Sequence, residues 1–221
     1  MPIGGGSFTV QNKVLPGAYI NFVSMGTNAK MGERGVAALP LELNWGPEGQ
    51  VFKLDAADFN ATSMKVFGYD PTDANILLVR EAMKRAKTLL IYRVNGGGTK
   101  ASATVGGMTV TAKYGGTRGN AIKVAVVTNV DDATKMDVVT YLDDMVMDSQ
   151  TVAKSGGAAS LVANDFVTFG TVATLTAATA TALTGGTNGT VNGAAHTAAL
   201  NAFEVESFNV VGYPGTDEEI K

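Results

Sequence analysis

The sequence predicts an α/β core domain, of α+β character overall, that is interrupted by an inserted all-β domain and preceded by an extended N-terminal arm. Three observations lead to this fold class. Strand–helix–strand patterns occupy residues 25–97 and resume in residues 186–221. Between them, residues 98–185 hold short alternating apolar segments at the spacing of a sandwich or barrel. Glycine-rich stretches at residues 96–98 and 185–189 mark the two crossings between the domains.

Composition excludes several classes of protein. The 221 residues include no cysteine, so disulfides and thiolate metal sites are ruled out. A net charge of −3 without a basic block argues against nucleic acid as a partner. No apolar run is long enough to span a bilayer, and the first residues do not have the pattern of a secretory signal. We therefore expect a protein assembled in a cytoplasm, without membrane insertion.

The predicted arm, residues 1–24, is a glycine-rich lead followed by short apolar stretches around Pro16 and Gly17. It has no nearby hairpin partner, so its backbone groups must pair elsewhere. Two interpretations remain open: a first strand of its own domain, or a strand donated to a neighbouring subunit. The candidates for an inter-subunit strand are Phe8, Val10, Val14, Tyr19, Ile20 and Phe22.

The core domain begins with a predicted strand over residues 35–44, in which Pro40 indicates an edge or a bend. Residues 45–49 (Trp-Gly-Pro-Glu-Gly) read as a turn. We expect the sole tryptophan, Trp45, to fill a core rather than to bind a ligand. A short strand over residues 51–54 then leads into polar sequence that we interpret as irregular.

The clearest helix starts after Asp70, with Thr72 as the predicted N-cap residue. Its apolar residues recur at helical spacing (Ile76, Val79, Met83, Ala86). The run that follows, residues 88–94, is almost continuously apolar, which predicts a strand covered on both faces. The glycines after it are not followed by a helix, so the nucleotide-binding fingerprint is absent. We interpret them as a linker, and we expect that joining Gly97 to Gly186 would leave a soluble α/β remainder.

In the inserted domain, turn signals separate five candidate strands at residues 101–105, 109–113, 121–127, 136–142 and 146–152. Asp143 and Asp144 stand where a hairpin turn is expected. Residues 156–163 suggest one helical turn before a strand at 166–169. The Thr/Ala-rich residues 171–184 are either a final strand or a mobile stretch with few anchors.

A glycine loop lies inside residues 113–128, where Gly115, Gly116 and Gly119 surround Arg118 and Asn120. A strand follows these glycines directly, so the loop is a structural turn between strands and not a phosphate cradle, which needs a helix N-terminus there. The planar fork of Arg118 suits donation to loop carbonyl groups.

Strand–helix–strand logic returns near the end of the chain, with a helix over residues 196–206 and a strand over 208–211. Thr216 and Glu219 then form a capping box, which specifies a helix start only five residues before Lys221. We expect from this that the residues belong to a longer subunit, and that the strand at 208–211 has an incomplete set of neighbours.

No constellation for catalysis or cofactor binding is found. His196 is the only histidine and no Gly-x-Ser-x-Gly motif is present, so no Ser–His arrangement can be assigned, and no spacing fits zinc. An acidic set could suggest calcium, but it contains no Asp-x-Asp-x-Asp-Gly loop (Asp131, Asp132, Asp137, Asp143, Asp144, Asp148). We therefore predict no catalytic, cofactor-binding or metal-binding residues.

The segment Tyr-Gly-Gly-Thr-Arg-Gly-Asn at residues 114–120, followed by an apolar strand, resembles the tail sheath proteins of contractile phage tails and R-type bacteriocins. Three further stretches support the resemblance: 15–22 (Leu-Pro-Gly-Ala-Tyr-Ile-Asn-Phe), 183–189 (Leu-Thr-Gly-Gly-Thr-Asn-Gly) and 208–215 (Phe-Asn-Val-Val-Gly-Tyr-Pro-Gly). Their order and spacing extend over the whole chain. In this family, variable β domains lie outside an α/β core.

The resemblance implies a structural, non-enzymatic subunit of a virion or phage-tail-like particle. Six-subunit rings would stack around an inner tail tube, and contraction would drive the tube through a cell envelope. The implied partners are other sheath subunits, joined through strand exchange of the arms, together with the tube protein, the baseplate and the tail terminator.

An alternative is a β-sandwich adhesin or carbohydrate-binding module, suggested by the Gly/Thr-rich β region. It would need aromatic platforms on an exposed face, whereas the tyrosines are scattered among strands and turns (Tyr92, Tyr114, Tyr141, Tyr213). An enzyme on the α/β core is a third possibility, which the absence of catalytic constellations disfavours.

Overall fold

The structure, a computed structural model, describes residues 35–214. The six arm candidates, the capping box at Thr216 and the expectations attached to them lie outside the described residues. No helix among the described residues is long and apolar enough to cross a membrane.

The first domain is built on a four-stranded sheet with the order β11–β1–β3–β2. Strand β3 is parallel to β1 and antiparallel to β2, and the short β11 is parallel to β1. The strands are β1 (Val36–Leu41), β2 (Val51–Asp55), β3 (Thr88–Arg93) and β11 (Val210–Val211). Among the described residues β11 lies at the edge of the sheet, and its Val210 and Val211 are exposed. The incomplete set of neighbours expected for this strand stays a prediction.

Helices cover both faces of this sheet: α1 (Phe59–Phe67), α2 (Leu77–Met83) and α3 (Gly193–Phe203). Leu89 and Ile91 of β3 pack in one buried cluster with α1 and α2. Leu90, between them in sequence, packs with Ala199 and Phe203 of α3 in another. Because successive strand residues face opposite sides, an almost continuously apolar strand fits this double coverage. The prediction for residues 88–94 is confirmed.

The interpretation of the polar sequence after residue 54 as irregular is wrong, because this sequence forms helix α1. Its buried residues Phe59, Ser63 and Phe67 recur every four positions. A serine occupies the middle of this stripe and donates its hydroxyl to the carbonyl of Tyr69 at 2.8 Å, so the apolar period is broken. Gly68, in the left-handed conformation after the last turn, was the available signal.

The predicted cap of the next helix is also wrong. Asp73, not Thr72, accepts the capping bond, from the backbone N–H of Asn75 at 2.8 Å, while the hydroxyl of Thr72 donates to Asp70. The helix starts with a 3₁₀ turn at Ala74–Ile76 and ends at Met83, before the predicted Ala86. Aspartate and threonine are both good N-caps, so sequence could not separate these neighbouring positions.

Pro40 lies in β1, an interior strand of the sheet, at a position where only one side of the strand is paired among the described residues, which agrees with the edge interpretation. Strand β1 pairs with β3 along its whole length, but with β11 only at Ala37 and Ala38. The proline therefore lies beyond the last residue paired with β11. Its missing N–H is tolerated there because only the β3 side of the strand is occupied.

The inserted β domain, called the β-sandwich or sandwich below, consists of a four-stranded sheet, β10–β6–β7–β8, and a three-stranded sheet, β4–β5–β9. The predicted fold class, an α/β domain with an inserted β domain, is confirmed. The strands are β4 (Lys100–Val105), β5 (Met108–Gly115), β6 (Ile122–Thr128), β7 (Lys135–Leu142), β8 (Met145–Ala153), β9 (Val167–Phe169) and β10 (Ala178–Ala182).

Details of this domain agree with the period-2 pattern of its sequence. Asp143 and Asp144 both have positive φ, 49° and 65°, in the two-residue turn between β7 and β8, as a type I′ hairpin turn requires. The Thr/Ala-rich stretch forms β10, held on either side by the fully buried Leu175 and Leu183. The alternative of a stretch with few anchors is therefore wrong.

Candidate functional site: the junction between the two domains

The glycine loop of residues 115–120 lies where the two domains meet. It connects β5 to β6 through a turn of 3₁₀ helix, Thr117–Ala121. Gly116 has φ 136°, and a Cβ atom there would be 2.1 Å from the carbonyl oxygen of Asn44 in the α/β domain. Only glycine allows this approach of the two backbones.

Arg118 joins three parts of the structure. Its Nε donates to the carbonyl of Gly68, which follows α1, at 2.7 Å, and its guanidinium carbon lies 4.3 Å from the centre of the Tyr69 ring. Its Nη1 donates to Asp143 in the β7–β8 turn at 2.9 Å. A rigid fork with several donors suits such a three-way contact better than a lysine would.

Asparagine side chains take the place of backbone pairing at the second crossing. Asn120 accepts from the N–H of Gly186 at 2.8 Å and donates to its carbonyl at 2.9 Å, as an adjacent strand would. Asn188 accepts from the N–H of Thr117 at 3.1 Å and donates to the side chain of Asn44 at 2.8 Å. The loop is thereby fixed to the returning chain.

Arg93, the last residue of β3, is 1% exposed and is the principal functional residue that sequence reasoning missed. Its Nη1 donates to the carbonyls of Gly46, in the α/β domain, and Gly115, in the β-sandwich, at 3.2 and 2.7 Å. Its Nε donates to Asn95 at 3.2 Å. The only signal in the sequence was an arginine at the end of an otherwise apolar run.

Burial lowers the pKa of Arg93, and the negative charge of Glu48 acts in the opposite direction. Glu48 accepts from the N–H of Gly97 at 2.5 Å and of Gly115 at 3.3 Å. Its carboxylate therefore ties the first crossing to the glycine loop while it compensates the buried cation. In the sequence, Arg93 is simply the end of a strand and Glu48 is part of a predicted turn, so neither residue indicated this pairing.

The crossings are packed backbone against backbone, so residues 96–98 connect the two domains as a tightly packed linker. A Cβ atom on Gly98 would lie 1.9 Å from the carbonyl oxygen of Thr187, and one on Gly189 would lie 1.9 Å from that of Gly96. These glycines provide close approach rather than flexibility.

Trp45 is 1% exposed and packs in the core of the sandwich, although its place in the sequence assigns it to the other domain. Its ring meets Tyr114 edge-on with centroids 5.3 Å apart and stacks on Phe166 at 6.5 Å. The prediction that it fills a core is confirmed. Burial raises the pKa of Tyr114, and the negative charge of Asp165 acts in the same direction.

At the rim of the junction, Asp165 of the sandwich lies 3.0 Å from Lys65 of α1 and 3.7 Å from Lys113 of β5. The hydrogen bond from Lys65 is the main reason that the pKa of Asp165 is held below its ordinary value, and both lysine charges add to it. Because all three side chains are partly exposed, their contribution to stability is small.

We expect Asp165→Asn to lower the free energy of unfolding by less than about 1 kcal/mol at pH 7. A carboxyl group whose pKa falls on folding stabilises the protein above its ordinary pKa, and this contribution disappears as the pH falls through the folded value. Urea unfolding at pH 7 and pH 3 checks this: wild type and variant should differ at pH 7 and converge at pH 3. An equal difference at both pH values would contradict the assignment.

The other candidate residues are not brought together into a reactive site. Among residues 35–214 no three acidic or histidine side chains lie close enough to hold a metal ion. Most of the acidic set is engaged by protein groups; Asp144, for example, pairs with Lys123 at 2.6 Å. His196 lies on α3 and meets the ring of Tyr213 edge-on, with centroids 5.2 Å apart.

The fold and the junction define a structural subunit in which an α/β domain carries a β-sandwich on tightly paired crossings. Comparison with known proteins gives the same class. The family model described as tail sheath protein Gp18 domain III, N-terminal region, matches residues 34–94, and that of the phage tail sheath protein beta-sandwich domain matches residues 96–188. The chain belongs to the phage tail sheath protein family, which is structural and non-enzymatic.

Two relatives from Bacillus subtilis (strain 168) are similar over nearly the whole chain. The uncharacterized protein YqbK is 38% identical over 239 residues, covering 98% of this chain and 50% of the relative. The phage-like element PBSX protein XkdK is 37% identical over 234 residues, covering 96% and 48%. The chain thus spans about half the length of the curated relatives it matches.

Two crystal structures are also similar. The sheath tail protein from Desulfitobacterium hafniense has a TM-score of 0.79 and 43% identity, over 92% of this chain and 47% of that one. The sheath tail protein from Listeria innocua has a TM-score of 0.75 and 37% identity, over 86% and 42%.

Proposed function

We propose that this chain forms part of a contractile sheath, in which six-subunit rings stack around an inner tail tube and contract to drive it through a cell envelope. The observation that carries the proposal is that both domains match sheath family models. A tightly packed junction, and not a loose linker, holds the two domains together. A sheath subunit must transmit force between its contacts, and backbone packed against backbone resists shear better than a flexible connection.

The arms are proposed to link neighbouring subunits by strand exchange. Two edges of the α/β sheet are available among the described residues, β2 on one side and β11 on the other. Pairing of main chains along such an edge gives strength without fixing the orientation of the donor's body. The arm residues Phe8, Val10, Val14, Tyr19, Ile20 and Phe22 are the proposed donors.

The remaining parts of the proposal concern partners and place. The tube protein, the baseplate and the tail terminator are the proposed partners, and assembly is proposed to occur in the cytoplasm of a bacterial host, for a phage or an R-type bacteriocin. Decoration of purified tail particles with antibodies against the β-sandwich tests this by electron microscopy. Label along the whole tail supports a sheath, whereas label absent from tails, or confined to one tip as for an adhesin, contradicts it.

Strand exchange is tested separately with the purified chain. We would mix ¹⁵N-labelled and unlabelled protein, cross-link lysines and search for pairs of mixed isotope composition. Exchange onto the β2 edge predicts such pairs between Lys13 of the arm and Lys53 of β2. Only same-isotope pairs would show that the arm packs on its own chain.

We also expect Val211→Lys to impair assembly while leaving the fold intact. The Val211 side chain is 45% exposed on β11, so a lysine there changes unfolding by no more than about 0.5 kcal/mol. It places a charge on an edge proposed to meet another strand, which disfavours pairing. The matched control is Val127→Lys on the sandwich, where valine is 47% exposed. Equal yields of particles with both variants would exclude the β11 edge.

A further inference from the structure

We propose that the α/β domain and the β-sandwich unfold and refold as one cooperative unit, coupled through the loop of residues 45–49 and through the paired crossings. Inserted domains usually have their own cores and fold independently of their hosts. In this chain each domain instead completes the other, in three separate respects. The inference stands whether or not the sheath contracts as proposed.

First, the sandwich core contains a residue that the sandwich does not supply. Trp45 lies between Tyr114 and Phe166, and its indole N–H reaches the carbonyl of Lys65 in α1 at 3.4 Å. Its removal would leave a cavity of roughly the size of an indole ring in the core of the sandwich, and protein interiors do not tolerate such voids. Unfolding of the α/β domain would withdraw this side chain and so destabilise the sandwich.

Second, the buried cation of the α/β sheet uses an acceptor from the sandwich. Arg93 donates to Gly115 at the end of β5 in its shortest hydrogen bond, and Glu48 binds the N–H of the same glycine. If the sandwich unfolded alone, Arg93 would lose this acceptor while its other bonds kept it within the sheet. An incompletely paired buried charge is costly, so the loss would destabilise the sheet.

Third, the two crossings pair with each other and with the glycine loop. Thr187 donates to the carbonyl of Thr99 at 3.1 Å and Gly189 to that of Asn95 at 3.0 Å, while Gly116 donates to Thr99 at 3.3 Å. A hinge needs a segment whose φ and ψ can change without breaking contacts. Here such a change breaks backbone hydrogen bonds on both crossings at once.

Native-state hydrogen exchange tests the coupling directly. The most protected amides of β3, in one domain, and of β7, in the other, should exchange through the same global opening and share one free energy. Val124→Ala in β6, where the valine is fully buried, should accelerate both sets by the same factor, roughly tenfold or more. Val127→Ala on the same strand, at an exposed position, should change neither set.

Two outcomes would overturn the proposal. One is a difference of more than tenfold, in the wild type, between the opening rates measured for the most protected amides of β3 and those of β7. The other is an effect of Val124→Ala on β7 alone. If Val124→Ala does not fold, urea unfolding of the wild type decides the question. Helical circular dichroism, to which α1–α3 contribute, and the fluorescence of Trp45 should then give coincident transitions, and separated midpoints would refute one cooperative unit.

Discussion

Gly116→Ala is expected to lower the free energy of unfolding by at least about 3 kcal/mol. Two costs add at this position. The φ of 136° lies in a region that side chains rarely adopt, and a new Cβ would be 2.1 Å from the carbonyl oxygen of Asn44 and 3.0 Å from Nη2 of Arg93. The neighbouring atoms belong to backbone and to a buried guanidinium, so they cannot move aside cheaply.

Gly156→Ala is the control for a positive φ without a close contact, although its left-handed conformation is less restrictive than that of Gly116. Gly156 also has a positive φ, 72°, but no atom lies within 4 Å of a Cβ built there. It should therefore show only the conformational cost, about 1 kcal/mol. Urea denaturation followed by circular dichroism measures both variants. If the two alanines cost the same, the close approach at the junction contributes nothing and Gly116 is needed only for its φ.

Much of this fold could be predicted because its determinants are local. The strands of the sandwich alternate with period 2, and the two-residue Asp143–Asp144 turn follows from the turn chemistry of aspartate. The almost continuously apolar run that forms β3 predicted a sheet covered on both sides. Helix α1 could not be predicted from hydrophobic periodicity, because one of its buried positions is Ser63, a polar residue that is buried through a hydrogen bond.

The junction could be predicted only in part, because its determinants are pairings between distant residues. The glycine loop and Arg118 stood out in the sequence, but nothing in the sequence connected Arg118 to Gly68 or to Asp143, which it contacts. Arg93 and Glu48 act on one another and on Gly115 across gaps of 22 to 67 residues. Nothing local in the sequence distinguishes a buried arginine of this kind from an exposed one at the end of a strand.

The contacts at the junction also determine whether the two domains can be separated. A cut at Gly97 and Gly186 follows the sequence pattern and lies close to the edges of the matched β-sandwich region, 96–188. It would nonetheless leave Trp45 exposed on the remainder and remove the Gly115 acceptor of Arg93. We therefore no longer expect the α/β remainder to be well folded without compensating substitutions at these two residues.

Trp45→Ala is expected to lower the free energy of unfolding by about 4 kcal/mol. The change removes a side chain that is 1% exposed, together with its ring contacts to Tyr114 and Phe166. Little relaxation can fill the space, because the surrounding residues belong to two domains joined by tightly packed crossings. Urea unfolding followed by circular dichroism gives the loss.

Trp45→Phe is the graded control. Phenylalanine keeps an aromatic ring between Tyr114 and Phe166, and it loses only part of the buried area and the 3.4 Å bond from the indole N–H to Lys65. Its cost should be about 1 to 2 kcal/mol, clearly below that of alanine. Because Trp45 precedes the sandwich in sequence by more than fifty residues, protection of β7 amides in the alanine variant is the informative measurement. A loss of protection confined to the α/β domain would mean that Trp45 serves its own domain and that the sandwich core is complete without it.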